Sequence, residues 1–282
     1  MAVFSNRATL SYNGISTDSN VVTGEIVEAL SASKNALITT YTAGDTVSYV
    51  ISIVNSGALP YTNLSLTDNL GAYTFNTQTL VPLSYVNGSL FYYANGVLST
   101  PPTVTSESPL VISGINVPAN GNAILIYSAT VNEFAPLSEG SLIVNQAFIS
   151  GGGITPIPLS DTITAASGVR LSVSKALSPV TVTENEEITY TFTIYNYGNT
   201  ATTPADDVTL RDVFNPILSN ITVNLDGAPL AEGTDYTYEE ASGLFQTVTG
   251  RITVPAATFT QGAGGEQIIT PGVATLTVSG TV

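Results

Sequence analysis

Cysteine, histidine and tryptophan are absent from this 282-residue chain, and methionine occurs once. Without cysteine no disulfide can hold the fold, and thiols say nothing about compartment. Without cysteine or histidine, His-dependent catalytic triads and the common zinc sites are excluded. Positive charge is scarce as well: six Lys plus Arg stand against 21 Asp plus Glu, for a formal charge of -15. No basic patch can be assembled from so few cations, so nucleic acid is excluded as a partner. No apolar run approaches the roughly 18 residues that cross a bilayer, so no membrane span is expected. The opening Met1-Ala2-Val3-Phe4-Ser5-Asn6-Arg7 lacks a basic segment followed by a long apolar stretch, and no secretory signal is expected from it.

What the chain does have is alternation. Runs such as Val47-Ser48-Tyr49-Val50-Ile51-Ser52-Ile53 and Ile188-Thr189-Tyr190-Thr191-Phe192-Thr193-Ile194 repeat with a period of two, which is the pattern of a strand with one buried face. Between such runs lie Asn87-Gly88, Asn95-Gly96 and Asp226-Gly227, where both residue types accept positive φ, and these predict hairpins. No amphipathic helical pattern occurs. The expectation is an all-β protein of Ig-like β-sandwich architecture.

Self-comparison sets the domain plan. Leu30-Ser31-Ala32-Ser33-Lys34 matches Leu171-Ser172-Val173-Ser174-Lys175, and Tyr49 to Asn55-Ser56-Gly57 matches Tyr190 to Asn196-Tyr197-Gly198, both at an offset of 141 (175 − 34). Leu64-Ser65-Leu66-Thr67-Asp68 matches Val208-Thr209-Leu210-Arg211-Asp212, and Ala123 to Tyr127 resembles Ala274 to Val278. The first unit continues through Leu142-Ile143-Val144-Asn145-Gln146-Ala147-Phe148-Ile149 and a strand near Asp161-Thr162-Ile163-Thr164, and the second has no such hairpin after it. Its likeness stands at the front, in Val3 to Leu10, a turn at Asn13-Gly14, and Asn20 to Thr23. The plan that follows is a donor hairpin (1–28), a complete sandwich (29–168) and an incomplete one (169–282). The hairpin of one molecule is expected to complete the second unit of its neighbour, a heterologous contact that propagates head to tail into a filament.

Lys34, the Tyr49-x5-Asn55-x-Gly57 segment, Leu66-Thr67-Asp68 and Val144-Asn145-Gln146-Ala147 together resemble the conserved-repeat domain-of-unknown-function family of bacterial and archaeal surface proteins. Within that family a two-unit chain of 29.2 kDa is similar to the subunits of ribbon-like spore appendages in clostridia-type endospore formers. The resemblance implies a self-assembling structural subunit on a spore surface or extracellular appendage. Its implied partners are copies of itself, with other spore-coat or surface proteins as further candidates; no cofactor and no enzymatic activity are implied. An adhesive or carbohydrate-binding module of a surface protein is the alternative.

Only two lysines occur, Lys34 and Lys175, at equivalent repeat positions. Surface sandwich domains of related architecture form a spontaneous amide between Lys and Asn beside a buried acid. That chemistry needs an amine kept neutral by desolvation, a carboxamide, and a carboxyl able to donate a proton. The repeat offers Lys34, Asn145 and Asp68 within a subunit, and Lys175, Asp212 and the incoming Asn6 between subunits. Asn55 and Asn196, each 21 residues (55 − 34) after its lysine, are the other candidates for the acceptor, as partners or as turn residues. The competing reading makes Lys34–Asp68 and Lys175–Asp212 plain salt bridges.

Other motifs are better explained by structure. Ser31-x-x-Lys34 and Ser172-x-x-Lys175 match an acyl-enzyme pattern that requires a helix, whereas these segments alternate as strands. Asp206-Asp207 and Glu184-Asn185-Glu186-Glu187 lack EF-hand spacing and read as solvated loops. Phe91-Tyr92-Tyr93 reads as cross-strand packing rather than a sugar platform.

Overall fold

The computed structural model describes residues 2–26 and 28–282. At the front, β1 (Ala2–Asn6) pairs antiparallel with β4 (Val22–Ile26), and β2 (Thr9–Tyr12) with β3 (Ile15–Asp18) around Asn13-Gly14, whose φ values are 43° and 79°. Between the two pairs, Ser19 N–H donates to Ala8 O at 2.8 Å, so the four strands make one two-stranded ribbon with an irregular step. Val3, Phe4, Leu10 and Tyr12 are all more than half exposed. Among the described residues, no strand outside the ribbon pairs with it.

The alternation of the next segments folds them into two facing sheets. One runs β13 (Val97–Ser99), β12 (Phe91–Ala94), β16 (Gly121–Val131), β7 (Thr46–Asn55), β5 (Leu30–Ala36), with β11 (Leu83–Tyr85) also on β16. The other runs β14 (Thr103–Glu107), β15 (Leu110–Val117), β8 (Tyr61–Asp68), β17 (Leu142–Gly151), β18 (Ile157–Ala165), β6 (Thr40–Tyr41). A short ribbon, β9 (Tyr73–Phe75) with β10 (Gln78–Leu80), stands beside them. Val47, Tyr49, Ile51 and Ile53 of β7 face Leu64 and Leu66 of β8 and Ile112 of β15 in a single dry core. β18 lies against β5 and closes that side of the sandwich.

The second unit repeats part of this plan. Its first sheet runs β19 (Leu171–Ser178), β20 (Glu187–Asn196), β28 (Gly272–Thr281), β22 (Ser219–Leu225), β23 (Ala228–Pro229), and its second is only β21 (Arg211–Val213), β25 (Leu244–Thr247), β24 (Tyr236–Glu239). A hairpin, β26 (Thr258–Gln261) with β27 (Gln267–Thr270), completes the set. The one helical turn among the described residues is a 3₁₀ turn at Pro204–Asp206.

The chain is thus all-β in sandwich form, as its alternation predicts. Two of the three expected hairpin turns are tight: Asn95-Gly96 joins β12 to β13 and Asp226-Gly227 joins β22 to β23, each with both residues at positive φ. Asn87-Gly88 is a correction. The strands on either side of it, β11 and β12, both pair with β16 rather than with each other, and only Gly88 has positive φ. That turn is an excursion between two segments that share β16 as their partner.

Candidate functional site

Strand alternation turns Lys34 inward. Leu30 and Lys34 are the two buried positions of β5, and Lys34 pairs in register with Ile51 of β7. Asp68 closes β8 in the opposite sheet, and β17 runs beside it with Ala147 opposite Asp68. Residues 143, 145, 147 and 149 are the buried set of β17, so Asn145 faces inward one step along from Asp68. The fold thereby brings Lys34, Asp68 and Asn145 together from three strands and two sheets.

The cluster is dry. The side chains of Lys34 and Asp68 are both 0% exposed, with Nζ 2.6 Å from Asp68 Oδ2. The Tyr127 hydroxyl, from β16, donates to the same Oδ2. Burial pushes the Lys34 amine below its usual pKa, against the opposing pull of Asp68 and, further off, Asp161. Asp161 itself accepts from Ala36 N–H and so ties β18 to β5. The Lys34 nitrogen sits 4.8 Å from the centre of the Tyr49 ring, which stacks on Tyr127 at 5.5 Å.

The turn after Asp68 is built for this site. Leu70 and Gly71 both occupy the left-handed region, at φ 54° and 75°, a conformation a leucine adopts only under constraint. It points Leu70 N–H at Asp68 Oδ1 (2.8 Å), and Gly71 N–H at both Asn69 Oδ1 (2.9 Å) and Asn145 Oδ1 (3.2 Å). A side chain at Gly71 would place its Cβ 2.5 Å from Ile143 Cγ2, so the close approach requires glycine. The carboxamide oxygen of Asn145 is therefore held, while its Nδ2 is buried with no hydrogen bond, as is the Tyr49 hydroxyl. Asn145 lies close enough to both tyrosine hydroxyls to pull their pKa values down slightly against the larger upward push of burial. Neither contact, however, meets the distance and angle limits of a hydrogen bond. Tyr49, Tyr127, Gly71 and Asp161 are the members of the cluster that sequence reading passed over.

Asn55 and Asn196 are placed elsewhere. Asn55 donates to Leu59 O (2.8 Å) and Pro118 O (2.9 Å) and accepts from Gly57 N–H. Asn196 does the same with Thr200 O, Pro255 O and Gly198 N–H. Both are buried clamps that fix a turn, with every side-chain group occupied.

In the second unit Lys175 contacts Asp212 Oδ2, yet the two side chains are 40% and 21% exposed. Lys175 lies over the Tyr190 ring at 4.3 Å, and Tyr190 is stacked by Phe214 at 5.0 Å. Register aligns the two units: Tyr127 pairs with Tyr49 as Val278 pairs with Tyr190. The ring that stacks on the lysine-bearing side is therefore a phenol in one unit and Phe214, which has no hydroxyl, in the other. All of β19 is exposed, and the edge of β21 that corresponds to the β17 side of β8 has no partner among the described residues. Asn6 is on the exposed front ribbon and is not brought to Lys175 within the chain.

No protein-family model matches the chain, and none of the curated proteins does. Solved structures offer distant likenesses. The major pilin subunit BcpA of Bacillus cereus is 11% identical, with 96% of this chain and 73% of that one covered at a TM-score of 0.36. The pilus backbone protein RrgB of Streptococcus pneumoniae is 12% identical over 86% of this chain and 56% of its own, at 0.33. The collagen-binding domain of the Erysipelothrix rhusiopathiae surface protein RspB is 13% identical over 57% of this chain and 58% of its own, at 0.29. The chain thus spans less than two thirds of the last two. At such identities and TM-scores these likenesses assign neither family nor function, and the site has to be read from its own geometry.

Proposed function

We propose that this chain is a self-assembling structural subunit of a surface fibre, joined head to tail by strand complementation and locked by Lys–Asn amide bonds. The carrying observation is a match between a gap and an unused element on one chain. The gap lies between β19 and β21, over Lys175 and Asp212. The unused element is the front ribbon, whose Phe4, Asn6, Ala8 and Leu10 correspond to the inward set Ile143, Asn145, Ala147 and Ile149 of β17. Its cross-strand pair Phe4–Gly24, with the ring lying over the glycine, takes the place of Ile143–Ile163. Docked in that register, the ribbon of a second copy pairs the free edge of β21, covers β19 and sets Asn6 on Lys175. Repetition without closure gives a filament.

The chemistry at the first site follows from its burial. One proton moved across the 2.6 Å contact turns the Lys34–Asp68 ion pair into an amine and a carboxylic acid, which burial of both side chains favours. The amine adds to Cγ of Asn145 while the carbonyl electron pair moves to Oδ1, which takes the Asp68 proton and is steadied by Gly71 N–H. Collapse breaks the bond to Nδ2, and the products are a secondary amide and ammonia. The spore surface as the location rests on the family resemblance alone; labelling of spores with antibody to this chain tests it.

Negative-stain microscopy and denaturing gels test the assembly. Purified full-length protein is expected to form filaments and a ladder of covalent multimers. Asn6→Ala should keep filaments and lose the ladder, and removal of residues 1–28 should lose both. Intact sequence remaining a stable monomer would overturn the reading and favour an adhesive module.

A further inference from the structure

We propose that Tyr127 is a further catalytic residue of the first site: its hydroxyl carries the proton on which ammonia leaves Asn145. This rests on the amide-forming reading above. The sealed site creates the need. One proton must travel from Lys34 Nζ to Asn145 Nδ2, and Lys34, Asp68, Tyr127 and Asn145 are all buried from bulk solvent. The geometry supplies a path. Lys34 Nζ and the Tyr127 hydroxyl meet on the same oxygen, Asp68 Oδ2, and Asn145, whose Oδ1 is held by Gly71 N–H, lies near that hydroxyl with an Nδ2 that makes no hydrogen bond among the described residues.

The steps balance. After addition, Nζ returns a proton to the Asp68 carboxylate. The Tyr127 O–H turns from Asp68 to Nδ2 and releases its proton there, while its oxygen takes the proton from Asp68. The C–Nδ2 bond breaks, ammonia departs, and the proton on Oδ1 passes back to Asp68. Tyr127 ends as it began, and Asp68 ends as the carboxylic acid that holds the second proton of the original Lys34 ammonium, so atoms and charge balance. Burial holds the phenol far from ionising, so the transfer is concerted and no free phenolate is formed.

The second unit differs at this position. Val278 stands where Tyr127 stands, so no hydroxyl is offered there, and Lys175 and Asp212 remain partly exposed within the single chain.

The test uses full-length chain carrying Lys175→Ala, so that only the internal bond can form. Chain synthesised in a short pulse is followed by intact mass spectrometry, each bond showing as the loss of one ammonia. Tyr127→Phe keeps the stacked ring and should slow that loss on the order of 100-fold, within the range of general acid–base catalysis. Tyr49→Phe tests the other phenol, and Tyr92→Phe, which removes a hydroxyl outside the cluster, should react at close to the parent rate. In an Asn145→Ala background, where no bond forms, Tyr127→Phe should melt near the parent temperature, which separates catalysis from folding. Parent and Tyr127→Phe reacting equally fast would overturn the relay while leaving the amide intact. Slowing by Tyr49→Phe alone would overturn it in favour of the other phenol, and a parent that never loses ammonia would remove the reaction and the relay together.

Discussion

The two sandwiches hold the same lysine and the same aspartate, yet one pair is sealed and the other open. Lys34 and Asp68 are covered because β17 and β18 lie over them; Lys175 and Asp212 are partly exposed, and among the described residues no strand stands where β17 and β18 stand in the first unit. The reactive side chains are not what differs between the units. The lid differs, and on the proposed reading the lid of the second unit arrives with another molecule. Burial, which drives the amine toward its neutral form, is permanent at the first site and has to be delivered at the second by the incoming ribbon. The junction therefore stays inert until it is correctly seated, and a misplaced ribbon that fails to exclude water is not welded.

The sharpest way to break this comparison is to remove each aspartate in backgrounds that cannot bond, Asn145→Ala for the first unit and Asn6→Ala for the second. Asp68→Ala leaves a buried lysine unpaired and should destabilise the first sandwich by about 3–5 kcal/mol in chemical denaturation. Asp212→Ala breaks an exposed pair and should cost below about 1 kcal/mol. Equal losses would show that the two sites do not differ in burial.

A second, smaller contrast lies in local opening. Amide hydrogen exchange in monomer kept from assembling should be at least ~10-fold faster along β19 than along β5, since every residue of β19 is exposed. In filaments the two rates should converge; persistence of fast exchange in β19 would mean that the ribbon docks elsewhere.

The smallest effect is on pH. In the Asn145→Ala protein the Lys34 amine has its pKa lowered on folding, so the unfolded chain binds more protons and stability rises with pH toward the unfolded value of 10.5. Asp68 and Asp161 face the amine and oppose the trend, and Tyr49 and Tyr127, both raised by burial, reverse it once unfolded tyrosines ionise. As pH rises toward 10.5 the first sandwich should therefore gain a little stability before the tyrosines take over, and Lys34→Met should flatten the slope. A fall in stability of the Asn145→Ala protein as pH rises below the tyrosine range would mean that Lys34 is held charged.

Much of this was legible in the chain. Period-two alternation gave the buried faces of β7 and β20, and duplication of Lys34 and Asp68 as Lys175 and Asp212 pointed to the site before any coordinate did. Asn87-Gly88 misled because a turn-forming dipeptide reports local backbone freedom and not which strand its flanks will pair with; both flanks found β16. Tyr127 was missed for a different reason. Comparison of repeats displays what two copies share, and here it aligned Tyr127 with Val278 as an ordinary mismatch. The hydroxyl matters only because pairing of β16 with β7 brings it across from residues 59 positions away in sequence. Leu70 was equally hidden, since no local signal marks a leucine that must take a left-handed turn.

The placement of Lys34 on the first strand of its sandwich and Asn145 on the last but one decides how a bonded subunit responds to tension. A pull entering at Leu30 would pass through the side-chain bridge into β17 and out by way of β18, leaving the intervening chain from 35 to 144 slack. Such a module has almost no hidden length to release, so a thread of these units would stretch little and fail, if at all, by breaking a covalent bond.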